Sequence, residues 1–80
     1  MKTTLLLSGI AADLADSSSL TLELPNKSTV ANFKEFLSNE FPEFQKMSSY
    51  AVAINESYAS DDTLIRENDV IAIIPPVSGG

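Results

Sequence analysis

Between Ser28-Thr29 and Pro42 the apolar residues Val30, Phe33, Leu37 and Phe41 recur at three- and four-residue intervals. That spacing gathers side chains onto one face of an α-helix. Ser28 or Thr29 can cap its start, and Pro42 draws Phe41 away from helical angles, so the helix is predicted to end near Glu40. Phe36 widens the apolar stripe, while Lys34, Glu35, Ser38 and Asn39 fall on the wet side. The other apolar segments are short and strand-like: Thr3 to Ser8 up to Gly9, Leu20 to Leu24 up to Pro25, Tyr50 to Ile54, and Val70 to Ile74. Ser57-Tyr58-Ala59 is at most a weak edge strand. A single amphipathic helix among four or five strands leaves one economical solution, an α+β domain whose mixed sheet carries one main helix on one face.

The connections read as turns. Ala11 to Ser19, with Asp13, Asp16 and three consecutive serines, suits a solvated turn between paired strands. Phe44 to Ser49 reads as a loop, and Ser60 to Thr63 as a turn under which Leu64-Ile65 packs inward. Asn68, within Glu67-Asn68-Asp69, takes a left-handed conformation at less cost than most side chains. Two strands do not fit a half-buried sheet, because Leu5-Leu6-Leu7 and Val70 to Ile74 are apolar on both alternating faces. Either loops bury their second face, or that face is an exposed apolar patch for a partner.

Composition narrows the chemistry. Neither cysteine nor histidine occurs, which removes thiol nucleophiles, disulfides, imidazole bases and the usual zinc ligands together. Asp61-Asp62 and Asp69 lack the spacing of a calcium loop and read as solvated turn residues. A formal net charge of −6, with Lys2, Lys27, Lys34, Lys46 and Arg66 scattered, argues against nucleic acid and against an anionic membrane surface. Eighty residues make one small domain that buries only roughly 60% of its unfolded surface. Met1-Lys2 followed by Thr3 to Ala12 superficially resembles a signal peptide, but cleavage there would discard the first strand. A cytoplasmic location is therefore expected.

What remains is the C-terminus. Pro75-Pro76 stops the last strand and favours an extended chain, so the domain is expected to span residues 1–74 and an extended tail residues 75–80. Pro75, Pro76, Val77, Ser78, Gly79 and Gly80 reach roughly 20 Å at about 3.3 Å per residue, enough to enter a neighbour's cleft. Gly79 and Gly80 carry no side chains, so the terminal carboxylate arrives unobstructed. A carboxylate becomes reactive once its oxygen is made a leaving group, as in an acyl-adenylate formed with ATP, and a sulfur donor then yields a thiocarboxylate. The chain has no phosphate-binding glycine loop, so ATP would be bound by an activating partner and this domain would be cargo.

The stretch Glu67-Asn68-Asp69-Val70-Ile71-Ala72-Ile73-Ile74-Pro75-Pro76-Val77-Ser78-Gly79-Gly80 resembles the end of the small subunits of molybdopterin synthase, the MoaD type. The likeness extends more loosely over the whole chain, through the first strand, Thr29-Val30 and Val52-Ala53-Ile54-Asn55. It implies a ubiquitin-like β-grasp fold and a sulfur carrier that is not itself an enzyme. It further implies that a ubiquitin-activating-like (MoeB-type) adenylyltransferase uses ATP on Gly80. A sulfur donor protein then makes the thiocarboxylate, and the tail from Pro75 to Gly79 inserts into the large synthase subunit (MoaE type). There sulfur passes to cyclic pyranopterin monophosphate for molybdenum cofactor biosynthesis. By the same resemblance Leu7, Tyr58 and Ile74 contact that partner from the sheet face away from the helix. No bound cofactor or metal is implied for the chain itself.

Two departures accompany the likeness. Many such proteins carry an arginine soon after the first strand, where this chain has Ile10-Ala11-Ala12-Asp13, and many have Gly-Asp where Asn68-Asp69 stands. Two further readings of the same tail are a ThiS-type carrier for thiazole synthesis, against which Pro75-Pro76 argues, and a ubiquitin-like modifier joined through Gly80 to lysines.

Overall fold

The computed structural model describes residues 1–47 and 49–75. Five strands, β1 (Lys2–Leu6), β2 (Ser19–Glu23), β3 (Ala51–Ile54), β4 (Ser57–Tyr58) and β5 (Val70–Ile74), form one sheet in the order β2-β1-β5-β3-β4. The central pair β1 and β5 is parallel, and the other pairs are antiparallel. The main helix α2 (Val30–Glu40) ends where Pro42 predicts.

Thr29 opens α2 with a reciprocal box, its side chain accepting from the Asn32 amide at 3.2 Å while Asn32 Oδ1 accepts from the Thr29 amide at 3.0 Å. The remaining first-turn donors go to the loop before β5: Val30 N–H to the Thr63 carbonyl at 2.9 Å and Ala31 N–H to the Asp61 carbonyl at 3.0 Å. Val30, Phe33 and Leu37 are fully buried against Leu5, Val52, Ile71 and Ile73. Thr3 is buried with them and donates its hydroxyl to the Leu22 carbonyl at 3.2 Å, so its polar atom is satisfied.

Several connections differ from the sequence-based expectation. The segment read as a solvated turn from Ala11 to Ser19 begins instead with a helix, α1 (Gly9–Ala15). Ala11 is buried in the core, and the helix ends at Asp16 in left-handed geometry. The stretch read as a loop from Phe44 contributes to a 3₁₀ turn (Pro42–Lys46), where Phe41 and Phe44 stack with ring centroids 5.5 Å apart. This turn packs against α1. Ile65 does pack inward, but Leu64 is exposed.

Asp61 and Asp69 are more than solvated turn residues. Asp61 pairs with Lys34 of α2 at 2.8 Å, and Asp69 accepts from Asn55 Nδ2 at 2.9 Å and from the Arg66 amide at 2.8 Å. Asn68 is left-handed, at φ 68, as expected.

Candidate functional site

Register decides which residues share the uncovered face. Leu5 lies beside Ile71 and Leu6 beside Ala72 across the parallel pair, while Val52 faces Ile73 and Ala53 faces Ala72 across the antiparallel one. Leu5, Ile71, Ile73 and Val52 are buried, so they belong to the helix side. Alternation and register put Leu6, Val70, Ala72, Ile74, Ala51, Ala53 and Tyr58 on the other side, where Ala53 is nonetheless buried among its neighbours. The apolar double-sidedness of the two central strands is thus explained by a second face that no helix covers among the described residues.

That face has a defined relief. Following the register across the sheet, Leu6 on β1, Ala72 on β5, Ala53 on β3 and Tyr58 on β4 form one row. Leu6 is 42% and Tyr58 77% exposed, and the two alanines between them are the shorter side chains. Two large apolar side chains thus stand at either end of an alanine floor, making a shallow trough. Ile74 lies one step further along β5, next to Ala51.

The rim beside Leu6 and Val70 is formed by Asn55 and Glu56, the two residues that turn β3 into β4. Both have positive φ, 50 and 73, the combination of a type I′ hairpin turn. The Asn55 side chain fixes this turn to the start of β5, its Oδ1 accepting from the Val70 amide at 3.0 Å.

The structure places Tyr58 and Ile74 on the open face, but not Leu7. Leu7 is 5% exposed and lies within the core cluster. Its neighbour Leu6 occupies the open face instead, because the alternation that buries Thr3 and Leu5 in β1 continues to Leu7, one residue past its end. The groove residues Leu6, Val70, Asn55 and Glu56 were not singled out from sequence. The two-residue break between Ile54 and Ser57, starting with Asn, was the available signal for the last two.

β5 ends at Ile74, and Pro75 follows at the same edge of the sheet as the end of β1. Pro76, Val77, Ser78, Gly79 and Gly80, the rest of the expected tail, lie outside the described residues. Among the described residues no cluster of acidic side chains has a metal-holding arrangement, and no helix is long and apolar enough to cross a membrane. A second depression, at the start of α2 between Pro25, Asn32 and Phe36, offers no free first-turn amides, since the box and the loop carbonyls take them.

A five-stranded mixed sheet with parallel central strands, one long helix across one face and an open apolar face defines a β-grasp, ubiquitin-like domain. Two solved structures share it: SAMP1 from Haloferax volcanii, with TM-score 0.86 at 21% identity over the whole of both chains, and the putative molybdopterin converting factor subunit 1 from Pyrococcus furiosus. The latter has TM-score 0.88 at 22% identity, covering 96% of this chain and 99% of that one. At the sequence level, the molybdopterin synthase sulfur carrier subunit of Arabidopsis thaliana is 38% identical over 71 residues, covering 88% of this chain and 74% of the relative. The profile of the ThiS family matches residues 5–80, and the chain belongs to that family.

Proposed function

We propose that the chain is the sulfur-carrying subunit of a molybdopterin synthase, with the Gly80 carboxyl as the group that carries sulfur. The observation that bears most weight is the run Pro75-Pro76-Val77-Ser78-Gly79-Gly80, which follows β5 directly in a chain with neither cysteine nor histidine. Sulfur held on a terminal carboxyl needs no thiol of the carrier's own. The shared name of the sequence relatives supports the same reading.

In this reading an adenylating partner supplies ATP. A Gly80 carboxylate oxygen attacks the α-phosphorus, pyrophosphate leaves, and the acyl–AMP bond becomes the one that breaks next. Sulfur at the oxidation level of sulfide, delivered by a donor protein, attacks the acyl carbon. AMP departs and a proton is lost, leaving the thiocarboxylate. Inside the large subunit the thiocarboxylate sulfur attacks an acceptor carbon of cyclic pyranopterin monophosphate and displaces an oxygen leaving group from it. Water then attacks the Gly80 acyl carbon, the acyl C–S bond breaks with the sulfur left on the acceptor, and Gly80 returns to the carboxylate. Leu6, Tyr58 and Ile74 dock the domain through the open face, while Pro75 to Gly79 carry the terminus inward. The chain works in the cytoplasm.

The test is intact mass after incubation with ATP, a sulfur donor and the activating enzyme. A gain equal to the difference between a sulfur and an oxygen atom is expected, and deletion of Gly80 should abolish it while leaving the thermal unfolding curve in place. An unchanged mass for the full chain would overturn the carrier reading. Branched peptides on target lysines, with no thiocarboxylate, would favour a modifier instead.

A further inference from the structure

The start of α1 lies against the root of the C-terminal tail. β1 and β5 are parallel neighbours, so the segment that follows β1 lies at the end of the sheet where the chain leaves β5, as does the start of β3, whose Ala51 pairs with Ile74. Gly9 opens α1 at φ +55, and a Cβ placed on it would stand 3.8 Å from Cγ of Pro75. That distance is ordinary van der Waals contact, so a methyl group alone would fit. The backbone angle is the part that favours glycine, since most side chains are strained in the left-handed region. The left-handed turn at Gly9 therefore brings its backbone within about one methyl group's reach of the Pro75 ring.

We propose that Gly9 is a positioning residue for the tail: its turn forms a shelf for the Pro75 ring and so sets the direction of the bond that leaves Pro75. A proline ring is suited to this, because its φ is locked and contact on the ring is contact on the chain direction. The proposal rests on the carrier reading only in that the tail is the reacting part. Docking by the open face and entry of the tail must occur together, so a misdirected tail lowers the effective concentration of Gly80 at the activating site without weakening docking.

Gly9→Asn keeps a residue that tolerates left-handed angles and adds atoms beyond Cβ next to the Pro75 ring. Gly9→Ala adds backbone strain with one methyl group, and Pro75→Ala removes the ring from the other side of the contact. In the free wild-type chain, NMR should show a nuclear Overhauser effect between the Gly9 α-protons and the Pro75 ring. Gly9→Asn should shift the amide resonances of Val77 to Gly80 and lower kcat for Gly80 adenylation about tenfold, with KM unchanged. Pro75→Ala should do the same, and the double variant should be no worse than either single one. Gly9→Ala should lower Tm through the strain at φ +55.

Tail resonances and kcat of Gly9→Asn identical to wild type would overturn the proposal. So would an effect confined to Tm in every variant. Absence of adenylation in the wild type would sink the carrier reading alone, because the Overhauser contact and the tail shifts still decide the positioning.

Discussion

Asn55 and Asp69 are joined side chain to side chain, Nδ2 to Oδ1 at 2.9 Å, across the gap between the β3–β4 turn and the residue that precedes β5. Asn55 also exchanges hydrogen bonds with the Val70 backbone, its N–H donating to the Val70 carbonyl at 2.8 Å and its Oδ1 accepting from the Val70 N–H at 3.0 Å. One side chain therefore ties the rim of the open face to the strand that leads into the tail. Asn55→Gly keeps the left-handed angle and loses the side-chain bonds, and should cost about 1 kcal/mol. Asn55→Ala loses the bonds and adds strain at φ 50, and should cost about 2 kcal/mol. Urea unfolding of the two variants measures both, and equal costs would remove the strain component.

Glu56 sits at φ 73 in the second position of that turn, where a residue without Cβ is favoured. Glu56→Gly should therefore stabilise the domain by about 0.5–1 kcal/mol, the left-handed strain relieved exceeding the extra entropy of the unfolded chain. The expected readout is a higher urea midpoint with the m-value unchanged. A lower midpoint would mean that the Glu56 side chain contributes more to the hairpin than its exposed position indicates.

Leu6 and Leu7 are adjacent in sequence and opposite in fate, and two substitutions separate them. Leu7→Ala removes core volume and should cost about 2–3 kcal/mol. Leu6→Glu changes an exposed position and should stay within about 0.5 kcal/mol of wild type. In a pull-down or calorimetric titration with the large synthase subunit, Leu6→Glu should weaken the complex at least about tenfold, because a charge buried without a partner is costly. Undiminished binding by Leu6→Glu would remove the open face from the interface.

The long helix was legible from its 3.6-residue period, punctuated by Thr29 and Pro42, and β2 from its alternation, whereas β1, β3 and β5 were legible as short apolar runs bounded by turn residues. Alternation also split each central strand into two classes of residue. What it lacked was the relation between strands. Knowing that Leu5 and Leu7 share a face does not say whether Ile71 or Ala72 lies beside Leu5, and only the register of β1 on β5 answers that. The short helix α1 was hidden for a different reason. Of its seven residues only Ala11 is fully buried, its N-cap Ser8 makes no side-chain bond, and the Asp and Ser residues around it carry a turn's composition. Tertiary packing on the 3₁₀ turn, which local pattern does not encode, accompanies it. The approach of Gly9 to Pro75 was hidden for the same reason as the register, since it depends on the parallel pairing of β1 and β5.

Tyr50 gives the fold a measurable response to alkaline pH. Burial, and then the negative charge of Asp61, push its phenol above the ordinary value of 10.0. The Lys34 ammonium group, paired with Asp61 at 2.8 Å, lies 5.8 Å from the centre of the Tyr50 ring. The unfolded chain ionises this phenol first, near 10.0, while the folded chain still holds the proton. The stabilisation is therefore complete below that pH and is lost as pH rises toward the folded-state value. Tyr50→Phe cannot titrate there, so Tm plotted against pH should fall less steeply above about pH 10 in the variant than in the wild type. Groups common to both chains cancel in the difference between the two curves. Parallel curves would show that Tyr50 ionises alike in the folded and unfolded chains, and that the α2 contact around Lys34 and Asp61 leaves its phenol unperturbed.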